Sequence, residues 1–340
     1  MPSVVHVITT GNFAGAERYV SDVARETAAR GWEVAVIGGD ARRMRQAVGA
    51  DVQCHPGTTP LSAMLSLAKL GRQTICHAHM TVAEALAVTA RPFHRAPIIS
   101  TRHFSAHRGS TRAGKIIAPW IGRKLEREIA VSDFVARGLE RPPAAVVRNG
   151  VPPSPLLWQP ENRTVLMLQR LEREKDTSTA LRAWHLSRLA EDGWSLRVVG
   201  EGSERHGLEA WTATQSIAGV EFAGWTDDAA TELAHAGIFL TAAPAEPFGL
   251  AVVEAMAAGV PVVASAAGGH LETVGLTPGA AMFPAGDATA AADRLRYFLS
   301  GDARASASQA GRKVVEDFLT IERHIEELLQ QYEAITTVRF

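Results

Sequence analysis

Sulfur is scarce in this 340-residue chain, where Cys54 and Cys76 are the two cysteines. Two thiols without metal-like spacing exclude a disulfide framework and fit a reducing cytosol. No uninterrupted apolar run reaches the length needed to cross a bilayer. Met1-Pro2-Ser3 leads straight into Val4-Val5-His6-Val7-Ile8, with neither a basic n-region nor a long apolar h-region. The chain is therefore expected to be cytoplasmic, either soluble or peripheral at the inner membrane face. Asp-x-Asp, a common holder of divalent ions, is missing, and the Glu-x-Glu pairs Glu126/Glu128 and Glu172/Glu174 read as solvated faces. Internal repeats and low-complexity tracts are also missing. Gly200-Glu201-Gly202 lacks the third glycine of a dinucleotide-binding fingerprint, which argues against a nicotinamide enzyme.

What is present is an ordinary soluble composition, 46% hydrophobic and 21% charged, long enough for two cores. The net charge of −1 hides an asymmetry. Residues 1–150 carry 20 Lys+Arg against 11 Asp+Glu, and the remainder 15 against 25. A basic half and an acidic half suggest two domains with different partners, or attraction between them. Short apolar runs at 4–8, 33–37, 74–77, 98–101, 128–131 and 145–147 are strand candidates, separated by amphipathic stretches such as 16–29. That alternation predicts a parallel sheet. A proline-rich linker follows at 150–160, because proline fixes φ and disfavours helix before it. A second series then predicts strands at 164–168, 195–199, 220–222, 238–241 and 261–264, and a last helix at 318–332.

Glu246 and Glu254 stand eight residues apart, with Pro247-Phe248-Gly249 and the start of an apolar helix between them. A helix N-terminus at the carboxyl end of a parallel sheet offers unpaired N–H groups and a positive dipole end to a phosphate. Upstream, Leu168-Gln169-Arg170-Leu171-Glu172-Arg173-Glu174-Lys175-Asp176 spaces two cations five apart after a strand. Two such cations can stabilise the charge of a leaving diphosphate. Val220-Glu221-Phe222-Ala223-Gly224-Trp225 and Gly268-Gly269-His270-Leu271-Glu272 add further turns. In the first half, Thr10-Gly11-Asn12-Phe13-Ala14-Gly15-Ala16-Glu17 opens the first helix, with Glu17 available to cap it. His103 follows a strand, and Val147-Arg148-Asn149-Gly150-Val151-Pro152 closes that half. His77-Ala78-His79 offers two ligands to a metal, but no third has recognisable spacing, so a structural or acceptor-side role is favoured.

Together these motifs resemble the retaining glycosyltransferases of the GT-B fold, family 4 in particular, over essentially the whole chain. The resemblance implies an α/β fold of two doubly wound, Rossmann-like domains facing across a cleft. Residues 1–152 would form the acceptor-binding domain and 161–320 the nucleotide-sugar domain, with 321–340 crossing back to the first. It implies transfer of a hexose-type unit from a nucleotide diphosphate sugar to a hydroxyl of a glycan, glycolipid or small-molecule acceptor, with retention and without a metal or other cofactor. Arg170 and Lys175 would hold the leaving diphosphate, and Glu246 and His103 would orient the sugar. Gly15, Gly200, Phe248, Gly249 and Leu250 would meet the donor, and Glu254 its ribose hydroxyls. Gln169 and Asp176 depart from the family, which has glycine at both positions. Alternatives sharing the fold are a non-hydrolysing sugar-nucleotide 2-epimerase and a non-catalytic subunit. No nucleic-acid partner is expected. The stretch 102–127 carries Arg102, Arg108, Arg112, Lys115, Arg123, Lys124 and Arg127 against Glu126, interleaved with Ile116, Ile117, Trp120, Ile121 and Leu125. Such a stretch can lie on an anionic membrane or grip an anionic acceptor, or it can be a basic surface helix whose apolar face is core.

Overall fold

A computed structural model describes residues 1–109 and 112–336 of the chain. It divides into two compact units. The first is Met1–Gly150 together with the described part of Ile321–Phe340, and the second is Val151–Thr320.

The sheet of the first unit contains β1 (Ser3–Ile8), β2 (Glu33–Ile37), β3 (Val52–His55), β4 (Ile75–His79), β5 (Ile98–Arg102), β6 (Arg127–Ala130) and β7 (Ala145–Val146). Their spatial order is β3-β2-β1-β4-β5-β6-β7, and every pairing is parallel. The second unit repeats the plan with β8 (Thr164–Leu168), β9 (Ser195–Val199), β10 (Val220–Gly224), β11 (Ile238–Thr241), β12 (Val262–Ser265) and β13 (Ala281–Phe283), ordered β10-β9-β8-β11-β12-β13. Helices cover both faces of such sheets, so the central strands read as continuous apolar runs. Val4, Val5, Val7 and Ile8, and likewise Val165, Leu166 and Met167, are fully buried.

In each sheet the winding direction reverses beside the first strand, between β1 and β4 and between β8 and β11. Loops leaving the carboxyl ends of those strands diverge and leave a crevice, where doubly wound sheets place their ligands. Two strands were not among those expected from sequence. β3 has one buried residue, Val52, and β13 is three residues long. Both lie at sheet edges, where one-sided pairing needs little hydrophobic pattern. β4 also runs on to His79, past the expected end at His77, so the two histidines share one strand face.

The last helix, Ile321–Thr336, packs in the first unit: Tyr19 Oη lies 3.0 Å from His324 Nε2, and Arg127 donates to Gln331. The proline-rich segment after Gly150 has no helix. Its end is fastened to the second unit by the Trp158 amide, which donates to Ala258 O at 2.8 Å.

The basic stretch 102–127 departs from a uniform surface. Residues 110–111 and the side chains of 112–115, including Arg112 and Lys115, lie outside the described residues. Arg102 and Arg108 are not surface cations. Arg108 makes a two-pronged pair with buried Glu84 (2.6 and 3.0 Å), and Arg102 bonds Glu128 at 2.8 Å and Glu140 at 3.2 Å. The helix Arg112–Lys124 buries Ala118 and Ile121 and leaves Ile116, Ile117 and Trp120 exposed. Part of its apolar content is therefore core and part faces out.

Candidate active site

The crevice of the second unit is built by the loops after β8 and β11. The β8 loop is pinned by backbone bonds, Gln169 N to Val199 O (3.1 Å) and Leu171 N to Glu201 O (2.8 Å), and ends in the 3-10 turn Arg173–Lys175. Asp176 follows in the left-handed conformation (φ 46°) and caps the helix Thr177–Ser187 through the Thr179 amide. Aspartate tolerates that conformation better than most residues and adds a cap, so the loop keeps a glycine-like turn without glycine. Gln169, the other departure, bonds Thr177 Oγ1 at 3.0 Å.

That geometry delivers Lys175 to Glu246, with Nζ 2.6 Å from Oε2 and both side chains mostly buried. Glu246 belongs to the loop after β11. Gly249 (φ 92°) ends this loop and opens the helix Leu250–Ala258, and no side chain caps the helix. Its first amides therefore have no intrahelical acceptor. Phe248 is buried beneath the turn, Leu250 begins the helix, and Glu254 sits half-buried one turn in. The Gly268-Gly269 turn lies directly on this loop. A Cβ on Gly268 (φ 58°) would stand 2.4 Å from Glu246 O, and one on Gly269 would stand 2.6 Å from the Phe248 Cα. The Gly269 amide donates to Glu246 O at 2.7 Å, so these glycines fix the carboxylate's backbone.

His270, next in the chain, was not singled out from sequence. It is fully buried, burial holds it below its ordinary pKa, and its Nε2 has no hydrogen-bond partner. The ring lies against Gly249 at the helix start. Its only signal in the sequence is adjacency to the glycine pair.

Two expected donor contacts are placed differently. Arg170 pairs with Glu174 at 2.6 Å on the surface, both side chains being more than half exposed. Glu174 is thus not merely solvated. Such an exposed pair is worth about 0–1 kcal/mol and opens readily for a stronger anion. Gly200 spends its amide on Gly224 O (2.7 Å), and a Cβ there would stand 1.8 Å from Gln169 O. Its glycine serves the close approach of two loops, and its amide is not available to a donor. Trp225 is about half exposed and so is not core.

In the first unit, Gly15 starts the helix Gly15–Ala29 with nothing crowding its Cα, leaving room for a ligand's approach. Glu17 caps that start, accepting from the Ala14 amide (2.9 Å) and Thr10 Oγ1 (2.5 Å). His103 sits at the end of β5 among rings contributed by distant segments. In-register pairing sets His6 beside His77 and Ile8 beside His79. His6 Nδ1 is 3.1 Å from His79 Nε2, and His79 Nδ1 is 3.2 Å from His103 Nε2. His77 lies between Tyr332 Oη (2.7 Å) and Thr101 Oγ1 (2.8 Å). Burial lowers the pKa of His6 to about 3 and those of His103 and His324 to about 4, and holds His77 and His79 well below the ordinary value. All five are neutral at physiological pH. The third ligand missing from the sequence pattern is His6, since one nitrogen each of His6, His77 and His79 lies within 4.8 Å of the others.

Comparison with known proteins supplies the family. The model for glycosyltransferase family 4 matches residues 13–154, and that for glycosyl transferases group 1 matches 153–314. A phosphatidyl-myo-inositol mannosyltransferase of Mycobacterium leprae is 32% identical over 244 residues, covering 67% of this chain and 64% of the relative. A glycogen synthase of Mycobacterium tuberculosis is 28% identical over 258 residues, covering 64% of the chain and 59% of the relative. The chain thus matches about two thirds or less of these relatives' length. Anabaena HepE, solved with UDP-glucose, superposes with a TM-score of 0.83 at 18% identity, over 98% of this chain and 99% of HepE. Sucrose-phosphate synthase of Thermosynechococcus elongatus gives 0.81 at 17% identity, over 99% and 100%. With two matching family models running end to end from residue 13 to 314, and a two-domain Rossmann-like architecture, the chain belongs to the GT-B glycosyltransferases of family 4.

Proposed function

We propose that the protein is a retaining glycosyltransferase that moves a hexose-type sugar from a nucleotide diphosphate sugar to an acceptor hydroxyl of a glycan, glycolipid or small molecule, without a metal. The observation that carries this reading is the Lys175–Glu246 pair at 2.6 Å beside an uncapped helix N-terminus. The ammonium and the helix amides suit a departing diphosphate, and the carboxylate suits the hydroxyls of the sugar it leaves. Arg170 joins Lys175 once its surface pair opens, Glu254 accepts from the ribose, and Gly15 and His103 meet the transferred group. The acceptor hydroxyl approaches the face that the diphosphate leaves, and the leaving phosphate takes its proton. HepE's complex with UDP-glucose and the mannosyltransferase relative are in keeping with this.

The test is thermal stabilisation by UDP, GDP, ADP and TDP, each with and without EDTA. A diphosphate at a hundred times its Kd should add about 2.7 kcal/mol. A shift with one diphosphate, unmoved by EDTA, supports metal-free transfer and names the donor class. No shift with any of them sinks the reading.

We further propose a cytoplasmic location with peripheral contact to an anionic membrane through Ile116, Ile117 and Trp120, flanked by Arg123 and Lys124. Among the described residues no helix is long and apolar enough to cross a membrane. Flotation with vesicles containing anionic lipid should be lost in Trp120→Ser; equal flotation of both proteins would remove the proposal.

A further inference from the structure

Three imidazoles in the first unit form an unbranched chain. His6 Nδ1 faces His79 Nε2 at 3.1 Å, and His79 Nδ1 faces His103 Nε2 at 3.2 Å. Each ring is neutral and carries one proton, so two protons fill the two bridges and the third sits at one end. The ends are not alike. His6 Nε2 is buried and has no hydrogen-bond partner. His103 is 9% exposed, and its Nδ1 has no protein partner among the described residues. A proton on His6 Nε2 would leave a buried N–H with no acceptor, the arrangement folded proteins most strongly avoid. A proton on His103 Nδ1 can meet water or a ligand. Every proton in the chain therefore points from His6 toward His103.

We infer that His6 and His79 are positioning residues that hold His103 as its Nδ1–H tautomer, so that it offers the donor sugar a hydrogen-bond donor and not a base. The inference rests on the proposed sugar-facing role of His103 and adds to it the direction of the proton. The surroundings hold the chain in this geometry. The Tyr19 ring meets His79 and His103 edge-on, with centroids 5.8 and 4.9 Å away, and Tyr19 Oη lies 3.0 Å from His324 Nε2. A metal ion at His6, His77 and His79 is the competing use of the same rings. It would have to displace His77 from Tyr332 and Thr101, between which both its ring nitrogens are already held.

The experiment is long-range 15N–1H NMR of the histidine-labelled full chain, with the His103 signals assigned by their loss in His103→Ala. In the wild type, His103 Nε2 should resonate as an unprotonated nitrogen and Nδ1 as a protonated one. A protonated Nε2 overturns the inference and leaves the transferase reading standing. Stoichiometric zinc in protein purified without added metal also overturns it. His79→Leu should give a mixed or reversed His103 tautomer and a kcat about tenfold lower, the low end of what is lost when the partner that orients a metal-binding histidine is removed. His79→Asn, which can still donate to His103 Nε2, should restore both. Equal losses in the two variants would mean that His79 acts through packing alone, and would overturn the relay. If instead His103→Ala turns over normally while the wild-type tautomer is as stated, the sugar-facing role fails and the relay survives.

Discussion

The two units share a topology and bury opposite kinds of chemistry. In the second, the interior is mostly apolar, with Trp184, Phe239, Phe283 and Phe298 fully buried and His270 its one fully buried histidine, and the ionic groups of the site lie on loops at its rim. In the first, polarity runs into the sheet: His6, His77, His79 and Thr101 sit on β1, β4 and β5, and Arg102 and Arg108 form a separate buried ionic cluster with Glu84 and Glu128. One unit keeps its charges where a ligand can replace their partners. The other surrounds neutral rings and closed ion pairs with protein, where the partners cannot be exchanged without loss of the fold.

Acid should break this contrast most strongly. The five clustered histidines of the first unit, His6, His77, His79, His103 and His324, have folded pKa values below the unfolded 6.5, so below that pH the unfolded chain takes up protons that the folded chain refuses. Their contribution is complete above about pH 6.5 and falls as pH drops toward 4, by roughly 1–1.5 kcal/mol per pH unit for each histidine. Calorimetry at pH 7 and pH 5 should show the transition carrying the first unit move down sharply, while the other, whose one comparable ring is His270, moves less.

Next in size, Arg108→Met should cost about 3–5 kcal/mol in urea unfolding, because it strands Glu84 in the interior. The same substitution at Arg170 removes an exposed pair and should cost under about 1 kcal/mol. Lys175→Ala leaves the mostly buried Glu246 carboxylate without its cation, so it should lower the melting temperature by a few degrees at most, less than Arg108→Met, and lower kcat by about a hundredfold or more; wild-type turnover in this variant would remove Lys175 from the chemistry. Gly268→Ala should destabilise the second unit by about 1–2 kcal/mol from its left-handed φ, and raise donor KM by shifting the Glu246 backbone. For binding alone, Glu254→Ala should raise donor KM about tenfold, near 1.4 kcal/mol, with kcat little changed.

Legibility in the sequence follows the same divide. Glu246, Phe248, Gly249, Leu250 and Glu254 fall within one loop and helix start, so a local motif and the family resemblance it carries were enough to expect a helix N-terminus there. Lys175 was legible as a cation near that site, but its partner was not, because 71 residues separate it from Glu246. His6 and His79 are 73 residues apart and Tyr19 and His324 are 305 apart, so no local pattern links them. Sheet register does, and only the folded chain supplies it. Arg102 and Arg108 looked like surface cations for the same reason, since Glu84 and Glu140 are remote in sequence. The edge strand β3 escaped because one of its four residues is buried, and β13 because three residues are too few to show a pattern.

The discontinuity of the first unit bears on how the protein is made. Its polar interior needs His324 and Tyr332, which a ribosome adds only after all of Val151–Thr320. At ~5–20 residues per second, that is a delay of roughly ten to thirty seconds. During it the second unit is a continuous segment free to fold as it emerges, while the nascent first unit holds an open, wettable histidine cleft in place of a finished core. Closure by the helix Ile321–Thr336 would then come after the second unit has been made.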